Sequence, residues 1–338
     1  MKMMNNTLEQ KLARIKYIRD NSLCMLEGTK INCAETSKNS KTRLNHRIQK
    51  STYLKKISVN NKAWHFNIYG REHYRTNRKM VLNNIKYVHT HPMLCGKHDK
   101  DIFNAIEDGH LFEEGNMQQY FQFAFRAFIF DFYEYCLKME FKHPNKWIEK
   151  RAQLAYNEKI KIFEKFVECY KQNEYEAIET TVLKLDREVD FVSCTKINPL
   201  VDVKGKYRLQ GELHGCYLNI FPQKGVTYIL LSYFKENKRY CEKLINEFKL
   251  YENKKQYNVI TMYLNKVVAS HDMNLVMSPR LYESWSRKEK EEFHEYANLM
   301  RVVLSFKDII KIYKKLKNTH EQFDLFKNVQ PTTTDDIT

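Results

Sequence analysis

Cys95-Gly96-Lys97-His98-Asp99 is read together with Cys24, Cys33 and Asn45-His46-Arg47-Ile48-Gln49 upstream, and the chain is organised around this set. A Cys-x-x-His turn opening a helix can bring a thiolate and an imidazole to one ion, because the second residue follows where the backbone reverses. Zinc favours these donors and in structural sites takes four of them tetrahedrally. Cys24, Cys33, Cys95 and His98 are therefore the candidate ligands. The gap between the first two is wider than the usual two to four residues. The plainer alternative is that these are buried thiols acting as small hydrophobes. Against it, Cys24, Cys33 and Cys95 sit in polar, loop-like sequence, whereas Cys136, Cys169, Cys194, Cys216 and Cys241 sit in apolar patterning.

Charge is concentrated in the same region. Residues 1–100 hold 21 Lys and Arg against 6 Asp and Glu, while the remainder is nearly balanced within a total of +16. Clustered positive charge beside a metal module is the footprint of a phosphate-backbone binder. Nucleic acid is the expected partner, DNA ahead of RNA, with Arg47, Lys50, Lys55, Arg75, Arg78 and Lys79 as candidate contacts. A protein partner or a second copy of the chain is a further candidate. Trp64, Phe66, Tyr69 and Tyr74 lie among these basic residues, a pattern suited to base stacking and equally to lining a small core. No apolar run is long enough to cross a bilayer, the basic N-terminus lacks an apolar signal core, and the scattered thiols suggest no disulfide framework. The expected location is cytoplasmic. The chain has neither a Gly-rich phosphate loop nor Gly-x-Ser-x-Gly, which argues against an NTPase or a serine hydrolase.

The expected fold is α+β and mostly α. Residues 1–112 form the basic zinc module, 113–186 a helical region, 187–324 an antiparallel sheet with helices, and 325–338 a disordered tail. Leu8, Leu12, Ile15 and Ile18 mark an amphipathic helix over 7–22, and 62–90 reads as extended and irregular. Phe121, Phe125, Phe128, Phe132 and Tyr135 predict a buried helix over 117–141. Helices are expected over 146–171, 174–185, 236–251, 254–269 and 287–318. Residues 216–221 and 226–231 read as a hairpin within a sheet of three to four strands.

The pattern Cys24-x8-Cys33, His46-x-x-Gln49, Leu54, Ile57, Cys95-x-x-His98-Asp99-x-x-x-Phe103-x-x-x-Glu107, with Asn219-x-x-Pro222 and Ser278-Pro279 further on, resembles a large family of uncharacterised bacterial proteins over most of the chain. More distantly, the N-terminal module is similar to zinc-supported HNH (ββα-metal) endonucleases. That resemblance implies phosphodiester hydrolysis in bacterial anti-phage defence, with His46 as general base, Asp99 holding a catalytic Mg²⁺ or Mn²⁺, Arg47 or Lys50 clamping the scissile phosphate, and Gln49 orienting the base or a phosphate oxygen. Three departures stand out. Asn45 replaces the acidic residue that often precedes the HNH histidine, Cys-x-x-His replaces the second Cys-x-x-Cys, and the loop between the two halves is long and unusual.

The residues themselves leave His46 open as a base, a zinc ligand or a donor to a backbone carbonyl. His89 and His91 lie close enough to contribute. In the C-terminal half, His271-Asp272 reads as a loop cap, and Asn219 and Pro222 as structural. Two other functions stay open beside the nuclease. One is a non-catalytic zinc-stabilised nucleic-acid-binding or scaffold protein that docks a partner through its C-terminal half. The other is a regulator sensing a small ligand.

Overall fold

The computed structural model describes residues 24–26, 42–66, 79–139, 146–198, 201–206, 216–271, 274–299, 306–317 and 321–329. The expected helix over 7–22, together with Cys33, Tyr69, Tyr74, Arg75, Arg78 and Asp272, lies outside them.

The fold is mixed α and β with more helix than strand. Strands β1 (Thr42–His46) and β4 (Thr90–Cys95) form a two-stranded antiparallel sheet. The strands β2 (Lys62–Phe66), β3 (Met80–Asn84), β5 (Ile178–Leu185), β6 (Phe191–Ile197), β7 (Cys216–Gln223), β8 (Val226–Phe234) and β9 (Val276–Met277) form a second sheet in the order β3-β2-β9-β6-β7-β8-β5, with every pairing antiparallel. Within it, β6-β7-β8 is a meander and β5 returns beside β8, a Greek-key arrangement. The sheet joins strands from the basic N-terminal region to strands far along the chain, because β2 pairs with β9.

Alternation along the central strands divides two cores. Tyr217 and Phe221 of β7, with Leu230 and Phe234 of β8, face helices α3 (Met117–Met139) and α4 (Lys146–Gln172). Leu218 and Ile220, with Ile229 and Leu231, face α5 (Lys238–Asn253), α6 (Tyr257–His271) and α8 (Arg287–Leu299), while α1 (Lys55–Ile57) and α7 (Pro279–Glu283) are short. A sheet covered on both faces reads as continuous apolar runs, which is the character of β7 and β8. In the first core Phe166 of α4 stacks on Phe125 and Phe128 of α3, with centroids 4.8 and 5.2 Å apart.

The predicted aromatic helix and the 216–231 hairpin are both present. The hairpin turns on Lys224 and Gly225, both at positive φ, a two-residue turn whose twist matches its strands. Other expectations need correction. Residues 174–185 were expected to be helical but form a short turn and then β5, whose register with β8 runs from Ile178↔Phe234 to Leu185↔Thr227. Thr180, Thr181 and Val182 are β-branched, and the β8 edge rewards them more than an isolated helical turn would. The sheet has seven strands because β2, β3, β5 and β9 join the expected ones. The stretch expected to be irregular after residue 62 supplies β2 and β3. Residues 325–329 carry Leu325 and Phe326 into the second core, and Asn265 pins this segment by donating to the Phe323 carbonyl and accepting from Leu325 N–H.

Candidate metal centre and its surroundings

The strand β4 runs directly into helix α2 (Gly96–Ile102), so the Cys-x-x-His turn is a strand-to-helix junction. Cys95 caps that helix and His98 stands in its first turn. Residues 24–26 return to the junction, held by Met25 N–H donating to the Met93 carbonyl at 2.9 Å. Cys24 Sγ then lies 3.2 Å from His98 Nδ1 and 3.4 Å from the Cys95 amide nitrogen. The two Sγ atoms and a ring nitrogen of His98 all lie within 4.8 Å of one another, and all three residues are buried. This mutual spacing matches the edges of one coordination polyhedron, and thiolate and imidazole together suit a borderline-soft ion. The cluster could hold a metal ion. Cys33, the expected fourth ligand, lies outside the described residues.

Beside this cluster the two-stranded sheet has a bulge between Arg43 and Asn45. The Asn45 side chain compensates, its Oδ1 accepting from the backbone N–H groups of Met93 and Leu94 at 3.2 and 2.8 Å. The same amide faces the Asp99 carboxylate on α2. Burial raises the Asp99 pKa above the ordinary carboxylate value, against the opposing pull of Arg126 and of Asn45, while Glu107 adds to the rise. His46, at the end of β1, places Nε2 3.3 Å from the Ile85 carbonyl. A carbonyl only accepts, so Nε2 carries the proton and Nδ1 keeps its lone pair in the neutral ring. Burial lowers the His46 pKa; the Ile85 carbonyl and Glu107 oppose that, while Lys50 and Arg126 reinforce it. His46 and Asp99 thus share two electrostatic neighbours, Glu107 and Arg126, which form an ion pair. The Arg126 guanidinium also lies 4.2 Å over the Phe103 ring.

Of the three openings for His46, donation to a carbonyl is what the geometry displays, and His46 is not part of the thiolate–imidazole cluster. Arg47, expected at a phosphate, points inward instead. It is 1% exposed, with Nε donating to the Cys194 carbonyl at 2.6 Å, Nη2 to the Ala127 carbonyl at 3.3 Å, and Nη1 facing Glu134. It ties the exit of β1 to β6 and α3. Gln49 is buried as well, and neither of its side-chain polar atoms has a partner among the described residues. Lys50, Lys55 and Lys79 are exposed.

Trp64 and Phe66 pack on Tyr282 and Phe293, at 4.5 and 5.8 Å between centroids, so this pair lines a core. His91 contacts Glu134, and His89 meets His65 edge to face. His271 faces the Asn198 carbonyl at 3.2 Å, a cap on a loop. Asn219 donates to the Phe123 carbonyl, fastening β7 to α3.

Sequence reasoning missed Arg126. Its signal was a single cation in the run Phe123-Ala124-Phe125-Arg126-Ala127-Phe128, where a charge is retained only with partners. Glu107 was visible in the motif but carried no role until Arg126 was found opposite it.

The fold and site define a mixed α/β protein with a buried thiolate–imidazole cluster on a strand-to-helix turn. Compared with protein-family models, curated proteins and solved structures, the chain matches none.

Proposed function

We propose that the chain is a zinc-supported, metal-dependent nuclease that hydrolyses phosphodiesters, acting on DNA ahead of RNA. The observation that carries this reading is the shared environment of His46 and Asp99 with Glu107 and Arg126, beside a separate thiolate–imidazole cluster on the same β–β–α unit. Zinc is the ion that Cys24, Cys95 and His98 favour, and its role there is structural. Neutral His46, with Nε2–H given to Ile85, keeps Nδ1 ready to take a proton from an attacking water. Asp99 and Glu107 are the carboxylates suited to a hydrated Mg²⁺ or Mn²⁺. Such a cation, when bound, supplies charge against the developing pentacovalent phosphate. Lys50, Lys55 and Lys79 offer exposed charge to the neighbouring phosphates.

A second reading is a non-catalytic, zinc-stabilised nucleic-acid-binding or scaffold protein. One observation favours it: among the described residues only Cys24, Cys95 and His98 gather their ligand atoms within 4.8 Å. Incubation with plasmid, single-stranded DNA and RNA in Mg²⁺ or Mn²⁺ separates the two. We expect cleavage by the wild type and a loss of at least about 100-fold in His46→Ala, the usual scale for a general base, with zinc content and fold unchanged. Because burial lowers the His46 pKa, cleavage should hold its rate as pH falls through 6.5 and decline only below it. Salt-sensitive binding without cleavage, in wild type and variant alike, selects the second reading.

A further inference from the structure

We propose that a cavity between the exit of β1, α3 and the central sheet is a binding site for one small monatomic anion of halide size. Arg47, Gln49, Tyr53, Arg126, Ser193 and Asn219 contribute to its lining, and its free volume is about 20 Å³. That admits one water-sized ligand and excludes a phosphate.

The chemistry of the lining selects the ligand. Arg126 is 2% exposed and gives Nη1 to Glu107, while its Nε and Nη2, the edge that grips anions in bidentate fashion, have no partner among the described residues. Gln49 is 3% exposed, and its Nε2 is in the same condition. Gln49 lines the same cavity, and its carbonyl is taken by the Tyr53 and Leu54 N–H groups of the widened turn that follows it. Among the described residues lining the cavity, three orphan donor nitrogens therefore stand against a single orphan side-chain acceptor, Gln49 Oε1. Unmet buried donors are costly, more so on a charged group. A water accepts from two of them but has two protons of its own to place against one orphan side-chain acceptor. A halide accepts from all three and gives nothing back.

The site is independent of whether the chain cleaves nucleic acid.

The test uses the full chain in sodium chloride, bromide or gluconate at matched ionic strength. Chloride and bromide should raise the thermal midpoint saturably over gluconate, and crystals grown in bromide should show an anomalous peak between Arg126 and Gln49. Gln49→Leu, which fills the cavity and removes the donor, should lose the halide-dependent rise. Gln49→Glu supplies its own carboxylate to Arg126, and should fold in gluconate and ignore halide, which covers the case in which the leucine variant does not fold. Equal midpoints in all three salts, with a water and no bromide in the density, would overturn the proposal.

Discussion

At the scale of single residues, His46 and His65 are both held neutral by burial, but their surroundings differ. His46 faces Lys50, Glu107 and Arg126, and its environment is ionic. His65 is 5% exposed, gives Nδ1–H to the Phe66 carbonyl at 3.0 Å, and has its pKa pushed down to about 4, chiefly by burial. As pH falls below 6.5 the unfolded chain gains a proton at His65 that the folded chain refuses, so stability drops between pH 6.5 and about 4. The loss across that window is about 3 kcal/mol from this group. His65→Asn, which keeps a donor for Phe66, should weaken the fall in urea midpoint between pH 7 and pH 5. His89, shifted in the same direction, retains part of it. Arg47 gives the complementary lesson. In sequence it stood next to a candidate base and read as a phosphate clamp, because its carbonyl partners at Ala127 and Cys194 lie far along the chain.

At the scale of elements, the two-stranded sheet depends on Asn45. Beside the bulge, one side-chain oxygen accepts from both the Met93 and the Leu94 N–H groups. Asn45→Ala should leave two buried donors unpaired and cost about 3 kcal/mol, read as a lower denaturant midpoint at unchanged slope. Since those amides immediately precede Cys95, the variant should also bind metal more weakly, measured by competition with a chelating dye. The strand β5 shows why element type was not always readable. Its residues carry enough Leu, Lys and Glu to pass for helix, and the eight-residue register with β8 overrides that propensity.

At the scale of the whole molecule, the basic N-terminal region is not self-contained in its packing. β2 takes β9 as its sheet neighbour, Phe66 packs on Phe293, and Arg47 bonds to β6 and α3. A fragment ending at residue 112 loses all these partners, and we expect it to lack dispersed amide resonances even with zinc supplied. Metal removal should act on the full chain as a folding perturbation, because the cluster joins residues 24–26 to the β4–α2 junction. Chelation should lower the thermal midpoint, zinc should restore it, and Cys95→Ser should show the lowered midpoint without responding to either. An unchanged midpoint on chelation would mean that the thiols are ordinary core residues.

The sequence by itself determined the features governed by local chemistry. The Cys-x-x-His turn, the aromatic period of 117–141 and the Lys224-Gly225 hairpin each depend on residues within a turn or two of one another. Donor type also marked Cys24, Cys33, Cys95 and His98 as candidates for one ion, and the fold brings the ligand atoms of Cys24, Cys95 and His98 within 4.8 Å of one another. Only the tertiary structure decided the rest. It supplied the seven-strand order, put Glu107 opposite Arg126, turned Arg47 inward, and left Gln49 and Arg126 facing one cavity. Each of these depends on partners brought together by burial across long stretches of chain, and no spacing in the sequence encodes which buried charge meets which partner.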